Sequence, residues 1–195
     1  MKDFQVVCIT DPLQDEHAET IIAAFGELYN SVTSKHQKRM QLNLICRSNR
    51  VSTILDFAER HKIEEPIQLI PYNLERQKDQ LPLNATVLCL PTKEKVGRLV
   101  RESLSKSIPV VSFLNDSISE YIDQTCGLFV RDKGFGFNVD EFAKILRMMY
   151  FDPEVRKLMH KGAKSKYIQI SGGLTRRVGN SFSRKETRTR SFQTH

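Results

Sequence analysis

Short apolar runs alternate with amphipathic helical segments along most of this chain, and this alternation restricts the fold more than any other feature. The strand-like runs are apolar enough to be buried on both faces, which is typical of parallel sheets. Strands are predicted at residues 4–10, 42–46, 67–71, 84–91, 108–113 and 127–131, and helices at residues 18–32, 51–63, 94–106 and 117–124. Strands separated by helices favour an α/β fold with a doubly wound, mainly parallel sheet flanked by helices.

The C-terminal part of the chain is predicted to be helical and then irregular. Two helices are separated at Asp152-Pro153, and Asn138 is the predicted N-cap of the first. Residues 176–195 hold five arginines and one lysine against one glutamate, so they account for most of the net charge of +7. We therefore predict a domain over residues 1–170 and a basic, disordered tail over residues 171–195.

The remaining charge is nearly balanced, so no specific nucleic-acid partner is expected. The basic tail leaves open contact with an anionic membrane surface. No apolar run approaches the roughly 18 residues of a membrane span, and MKDFQVVCITDP does not read as a signal peptide. We expect a cytoplasmic protein or one held on the cytosolic face of an internal membrane.

The cysteines show no metal-ligand spacing. Cys8, Cys46, Cys89 and Cys126 are far apart in the sequence, and three of them lie inside apolar runs. This pattern predicts reduced, buried thiols rather than a disulfide framework or a metal site.

The stretch PTKEKVGRLVRESLSKSIPVV (91–111) carries the most specific chemical signal. A helix that follows directly on a strand begins at the carboxyl edge of the sheet, where free N–H groups and the helix dipole suit a phosphate. Glu94 and Glu102 lie eight residues apart and share one helix face, while Gly97 leaves space for a ligand near the backbone. Both carboxylates could accept hydrogen bonds from sugar hydroxyls, or both could be solvated.

Taken together, a set of residues from Pro91 onward occurs in a specific order. They are Pro91, Glu94, Val96, Gly97, Glu102, Pro109, Val110, Val111, Glu120, Gly127, Leu128 and Val130. This order resembles the C-terminal, donor-binding half of the GT-B glycosyltransferases, specifically glycosyltransferase family 4. The segment YFDPEVRKLMHKGAK (150–164) also looks like a helix of that family, and the resemblance spans roughly residues 4–168.

The resemblance implies a nucleotide-sugar site for a UDP- or GDP-hexose. In such a site Glu102 would accept hydrogen bonds from the ribose hydroxyls, and Glu94 would contact the donor sugar. Backbone amides around Lys95, Val96 and Gly97 would meet the diphosphate or the sugar. The resemblance further implies transfer with retention, no metal ion and no cofactor beyond the donor, and it leaves the catalytic residue unassigned.

Three departures from the family pattern concern catalysis. Residues 9–25, ITDPLQDEHAETIIAAF, contain no arginine or lysine where the family carries both, so a departing diphosphate lacks its usual cations. Glu16 and His17 stand near the expected lysine, and a solvent-facing histidine is the simpler interpretation. Ser107-Ile108 and Asn115-Asp116 replace expected glycines. The chain also begins where the second GT-B domain begins, so an acceptor domain is expected elsewhere.

Three interpretations remain open. The chain is a donor-binding half that works with a separate acceptor-binding domain or subunit, or a catalytically inactive, degenerate or truncated homologue that acts as a binding or regulatory protein. In the third interpretation the sheet belongs to another doubly wound family. The sequence holds no GxGxxG fingerprint, Walker loop or nucleophile elbow for that third interpretation.

Overall fold

Parallel strands form the centre of the structure, a computed structural model that describes residues 3–9, 15–46, 48–71, 84–92 and 96–186. The strands are β1 (Phe4–Ile9), β2 (Met40–Cys46), β3 (Ile67–Pro71), β4 (Val87–Leu90), β5 (Val110–Phe113) and β6 (Gly127–Val130). Within the described residues these six strands pair in the order β3-β2-β1-β4-β5-β6, and every pair is parallel. The predicted doubly wound parallel sheet is confirmed, with each strand at its predicted place in the sequence.

The strand order fixes where a ligand can approach the sheet. The chain moves outward from β1 to β3 and then returns to pair β4 with the other side of β1. The carboxyl ends of β1 and β4 therefore lie at a topological switch point, where the connections leave in opposite directions. Doubly wound sheets bind ligands in the crevice at this point.

Helices cover both faces of the sheet. They are α1 (Asp15–Asn30), α2 (Ser34–Gln37), α3 (Val51–Arg60), α4 (Gly97–Ser105), α5 (Asp116–Ser119), α6 (Phe135–Phe151) and α7 (Pro153–Glu186), with a 3-10 turn at Ser48–Arg50. One hydrophobic cluster joins the sheet to α1, α3, α6 and the start of α7 at Met159, and a second joins it to α4, α5 and the part of α7 around Ala163. The short helix α5 ends at Ser119, earlier than the predicted residue 124, and Tyr121 two residues later packs against Gly97 of α4.

The strands supply both clusters because successive side chains point to opposite faces. In β1, Phe4, Val6 and Cys8 enter the cluster beneath α1, whereas Val7 and Ile9 enter the cluster beneath α4. All five side chains are at most 3% exposed. This burial on both faces explains why the strands read as continuous apolar runs rather than as alternating polar and apolar residues.

The prediction for the start of α6 was wrong. Asn138 is not the N-cap, because the helix begins at Phe135, after Gly134 with φ of +97°. A left-handed backbone of this kind favours glycine, so Gly134 rather than the polar side chain decides where the helix begins. Asn138 is buried in the first turn, where its Oδ1 accepts from the Lys133 N–H (3.1 Å) and its amide donates to Asp132 Oδ1 (2.7 Å).

Helix α7 extends further than the sequence predicted. It runs to Glu186, so residues 171–186 are helical where a disordered tail was predicted from residue 171. Extension costs little once the first half of the helix is fixed by packing, since nucleation is the costly step. Residues 187–195 lie outside the described residues, and the separation of a tail from the domain stays a prediction. None of the helices in the described ranges is long and apolar enough to cross a membrane.

The cysteines are free and buried, as predicted. Desolvation of the thiolate raises the pKa of the Cys8 thiol to about 12. Such a thiol stays protonated at neutral pH and behaves as a small hydrophobic side chain.

An ion pair ties α7 to the loop that precedes β6. The Lys166 ammonium donates to Asp123 Oδ2 (2.8 Å), and the Thr125 hydroxyl and N–H both donate to Asp123 Oδ1 (2.6 and 3.0 Å). These hydrogen bonds, with that from Lys166 the largest cause, lower the pKa of the Asp123 carboxyl from 3.8 to about 2.

This lowered pKa predicts a loss of stability in acid. The ionised Asp123 carboxylate stabilises the fold fully above pH 4, and this contribution is lost as the pH falls from about 4 to about 2. We expect the free energy of unfolding to fall more steeply over this range in the native protein than in Asp123→Asn. The difference should be at most about 1 kcal/mol, because the carboxylate is 47% exposed and solvent screens the pair.

Urea unfolding at pH 5, 4, 3 and 2 measures this difference. Asp140→Asn, at an exposed position on α6, is the matched control and should follow the native curve. Parallel curves for the native protein and Asp123→Asn would contradict the prediction.

Candidate functional site

The carboxyl end of β4 lies at the switch point of the sheet, beside the end of β1. Pro91 and Thr92 follow β4 and are buried, and the Thr92 carbonyl accepts from the Asn115 side-chain amide (3.2 Å) at the start of α5. Residues 10–14 and 93–95 lie outside the described residues. Glu94 and Lys95 therefore stay predicted donor-binding residues, with no structural account.

Tyr121 covers the first turn of α4 at Gly97. Val96 precedes the helix and is buried, and Gly97 is the first helical residue. A Cβ at Gly97 would lie 2.6 and 2.8 Å from Tyr121 Cε2 and Cζ. The sequence predicted that Gly97 leaves space for a ligand, whereas the structure fills this space with the tyrosine ring. Glycine is required here because the ring packs directly on the backbone. Contact of the Gly97 amide with a ligand stays a prediction.

Glu102 lies on the face of α4 that borders α7. Its Oε1 accepts from Lys106 Nζ (3.2 Å), one turn further along the helix. Both side chains are less than a fifth exposed, so the pair is partly shielded from water. Lys106 thus orients the Glu102 carboxylate, which has about four acceptor positions in all.

The two helices enclose a groove of about 290 Å³. We call it the α4–α7 groove, and its lining residues are Arg98, Arg101, Glu102 and Ser105 from α4 with Tyr167, Ile170 and Ser171 from α7. The α4 residues follow the spacing i, i+3, i+4, i+7 and so form one helix face. The Arg101 guanidinium also lies over the Tyr121 ring, 5.9 Å from its centroid.

The groove has a positive charge balance. Among its described side chains, with Lys106 included, three cations accompany the single carboxylate of Glu102. Guanidinium groups recognise phosphate through paired hydrogen bonds, and a carboxylate accepts from hydroxyls. The arrangement can therefore hold a ligand that carries both phosphate and hydroxyl groups.

The groove contains residues that the sequence analysis missed. Arg98 and Arg101 lie on the same face of α4 as Glu102. Their spacing of four and one residues before that glutamate, together with helical periodicity, could have identified them. Tyr167 and Ser171 could not have been identified in this way, because only the packing of α7 brings them to α4.

The start of α1 also differs in part from its prediction. Glu16 is exposed in the first turn of α1, and its carbonyl accepts from the Thr20 hydroxyl (2.8 Å). His17 was predicted to face solvent, but its half-buried ring packs edge-on against Phe113 at the end of β5, with centroids 5.2 Å apart. The imidazole is thus held by packing at the carboxyl edge of the sheet.

Ser107 occupies a position where the family resemblance expects glycine. Its φ of +61° is in the left-handed region that glycine favours, directly after the end of α4. His160 Nδ1 of α7 lies 2.6 Å from the Ser107 carbonyl and donates to it, which fixes this turn. His160 thus joins α7 to the turn that follows α4.

No three His, Cys, Asp or Glu side chains come together as metal ligands in the part of the chain that the structure describes. The prediction that no metal ion is required stays a prediction.

Comparison with known proteins gives a fold but no sequence family. No protein-family model matches the sequence, and no curated protein matches it. Among solved structures, the pneumococcal O-GlcNAc transferase GtfA in complex with UDP and GlcNAc superposes with a TM-score of 0.74 at 15% identity, covering 94% of this chain. Anabaena Alr3699/HepE in complex with UDP and glucose gives 0.70 at 14% identity and 93% coverage. WaaG, a glycosyltransferase involved in lipopolysaccharide biosynthesis, gives 0.64 at 12% identity and 86% coverage.

These likenesses establish the Rossmann-like fold found in one half of GT-B glycosyltransferases, as the resemblance in the sequence implied. The chain spans 35%, 48% and 43% of the GtfA, HepE and WaaG chains, respectively.

Proposed function

We propose that this chain binds the nucleotide-sugar donor of a glycosyltransferase reaction. The donor is a UDP- or GDP-hexose, and the hexose is transferred with retention to an acceptor held by a separate domain or chain. The fold shared with glycosyltransferases supports this proposal, as does the UDP present in the GtfA and HepE structures.

The observation that carries the proposal is the position of Glu102. It lines a groove on α4, the helix that begins at the switch point of the sheet. Lys106 holds the carboxylate in a partly buried position, so its orientation is set before a ligand arrives. An oriented acceptor binds a hydroxyl pair more tightly than a flexible surface carboxylate, because less side-chain entropy is lost.

Each proposed site residue has a binding role. Glu102 accepts hydrogen bonds from the ribose hydroxyls, Glu94 contacts the donor sugar, and the amides of Lys95, Val96 and Gly97 meet the diphosphate or the sugar. These contacts orient the donor with its diphosphate at the carboxyl edge of the sheet. The donor is the only small molecule needed, with neither metal ion nor cofactor.

The alternative is a homologue that binds the donor without catalysis and acts as a binding or regulatory protein. Two observations favour it: Tyr121 occupies the space beside Gly97, and residues 9–25 contain neither arginine nor lysine. Release of UDP from UDP-glucose in the presence of the acceptor-binding domain or chain distinguishes the two functions, because a non-catalytic homologue leaves the bound donor intact there as well.

Location follows from the same proposal. We place the protein in the cytoplasm, where nucleotide sugars are available, or on the cytosolic face of an internal membrane through the basic residues 176–195.

Replacement of Glu102 tests donor binding. Saturation-transfer NMR with UDP, GDP, UDP-glucose, UDP-GlcNAc and GDP-mannose should give a signal for one base, and Glu102→Ala should weaken binding of that nucleotide at least tenfold. A lost hydrogen bond to a charged group costs about 1.5–3 kcal/mol, and about 1.4 kcal/mol corresponds to tenfold.

The matched control is Glu141→Ala, which removes another glutamate ion-paired with a lysine on an exposed helix face. It should leave nucleotide binding unchanged. The absence of a signal from every nucleotide at millimolar concentration would refute the donor-site proposal, and equal binding by the native protein and Glu102→Ala would remove Glu102 from the site.

A further inference from the structure

A nucleoside diphosphate carries negative charge that cationic groups of the protein must neutralise. In this chain the segment after β1 offers no cation to neutralise that charge, since residues 9–25 lack arginine and lysine and include acidic Glu16. Phosphate placed near acidic groups without nearby cations is strongly disfavoured in a partly buried site. If the proposed donor binds, its counter-charge has to come from another part of the domain.

The backbone at the start of α4 is partly blocked as a substitute. The Tyr121 ring lies against the Cα of Gly97, so a phosphate cannot approach the first turn from that side. The face of α4 that borders α7 carries Glu102 and is open to a ligand through the groove.

Arg98 and Arg101 lie on this face. Arg98 is the second residue of α4, one turn before Glu102, and its side chain is exposed. Arg101 is half-buried, and its contact with the Tyr121 ring holds the guanidinium at the same end of the groove. Among the described residues that line the groove, these two arginines are the cations, and both belong to the first half of α4, toward the switch point.

The size of the groove limits which ligand it can hold. Cavities for complete small-molecule ligands measure about 300–1,000 Å³. The α4–α7 groove, at about 290 Å³, suits a ribose with its phosphates rather than an entire nucleotide sugar. The hexose would then extend toward the carboxyl edge of the sheet.

We propose that Arg98 and Arg101 bind the diphosphate of the nucleotide in the α4–α7 groove and replace the cations missing after β1. This inference rests on the proposed function and assigns residues to it that the sequence resemblance does not. Glu102 holds the ribose in the middle of the groove, and the two guanidinium groups lie toward the start of α4. Ser105, Tyr167 and Ser171 complete the groove with hydroxyl groups.

Titrations with UDP and with uridine separate the phosphate contribution from the nucleoside contribution. We expect the native protein to bind UDP at least tenfold more tightly than uridine. Arg98→Gln and Arg101→Gln should each raise the Kd of UDP about tenfold and leave the Kd of uridine within about twofold, since only a charge-assisted contact to phosphate is removed. The same series is run with GDP and guanosine.

Two further variants control for charge and folding. Arg101→Lys keeps the positive charge and should recover most of the UDP affinity. Arg147→Gln removes an exposed arginine from α6, on the opposite face of the sheet, and should change neither Kd. Circular dichroism should give native spectra for all variants.

The outcomes are distinct. If UDP binds Arg98→Gln and Arg101→Gln within about twofold of the native affinity, or if the native protein binds nucleoside and diphosphate equally, the arginine assignment is overturned while the donor site stands. If the native protein binds no nucleoside or nucleotide, the proposed function falls as well.

Discussion

Replacing Phe142 by alanine is expected to lower the free energy of unfolding by about 4 kcal/mol, the largest effect of any substitution proposed here. The Phe142 side chain is fully buried in α6, and its ring meets Phe113 of β5 edge-on, with centroids 5.7 Å apart. Phe113 in turn packs against His17 of α1. The truncation therefore removes buried apolar surface and leaves a cavity between α6 and the carboxyl edge of the sheet.

Chemical unfolding of Phe142→Ala measures the loss, and a thermal melt should show a Tm lower by about 10 °C for a chain of this size. Phe151→Ala is the matched control, because this phenylalanine ends the same helix with 56% of its surface exposed. It should cost less than about 1 kcal/mol. Comparable losses for the two variants would show that α6 does not bury Phe142 as described.

Gly162→Ala is expected to destabilise the fold by about 2–3 kcal/mol, the typical cost of overpacking. A Cβ at Gly162 would lie 1.9 Å from the Thr125 carbonyl oxygen and 2.6 Å from its carbonyl carbon. Both atoms belong to backbone that the Asp123–Lys166 pair holds in place, so α7 or the loop before β6 must shift. This cost exceeds the helix-propensity gain of about 1 kcal/mol that alanine brings.

The control for Gly162→Ala lies in the same helix. A Cβ at Gly172 would meet nothing within 4 Å among the described residues, so Gly172→Ala should be neutral or stabilise by up to about 1 kcal/mol. Urea unfolding of both variants gives the comparison. A neutral Gly162→Ala would mean that α7 lies further from Thr125 than the structure describes.

The close approach at Gly162 also matters for the groove. Tyr167 and Ser171 lie on α7 beyond this contact and line the α4–α7 groove. A shift of α7 would move them relative to Glu102, so nucleotide affinity should fall together with stability in Gly162→Ala. The position of this wall of the proposed site thus depends on the absence of a Cβ at residue 162.

The family resemblance identified one part of the proposed site from the sequence. Glu102 follows a strand and a helix start in an ordered motif. In the structure it lines the α4–α7 groove and forms an ion pair with Lys106. The opposite wall of this groove was not predictable. Tyr167 and Ser171 are more than sixty residues further along the chain, and nothing in their local sequence indicates contact with α4.

Local pattern also misjudged two positions at helix starts. Asn138 has the polar side chain of an N-cap, yet the left-handed backbone at Gly134 begins α6 four residues earlier. Gly97 was interpreted as space for a ligand, yet Tyr121 fills that space. In both cases the residue type is compatible with several roles, and contacts with neighbouring residues in the fold decided which role it has.

The sequence by itself determined the parallel sheet and the order of its elements. A strand buried on both faces must be apolar throughout, and a helix that covers it must be amphipathic, so each element carries its own signal. Only the tertiary structure decided which faces of α4, α5 and α7 meet. Those contacts depend on the shapes of side chains brought together from distant parts of the chain, such as Tyr121 on Gly97 and Thr125 on Gly162. A periodic pattern records that a face is buried, but not what it is buried against.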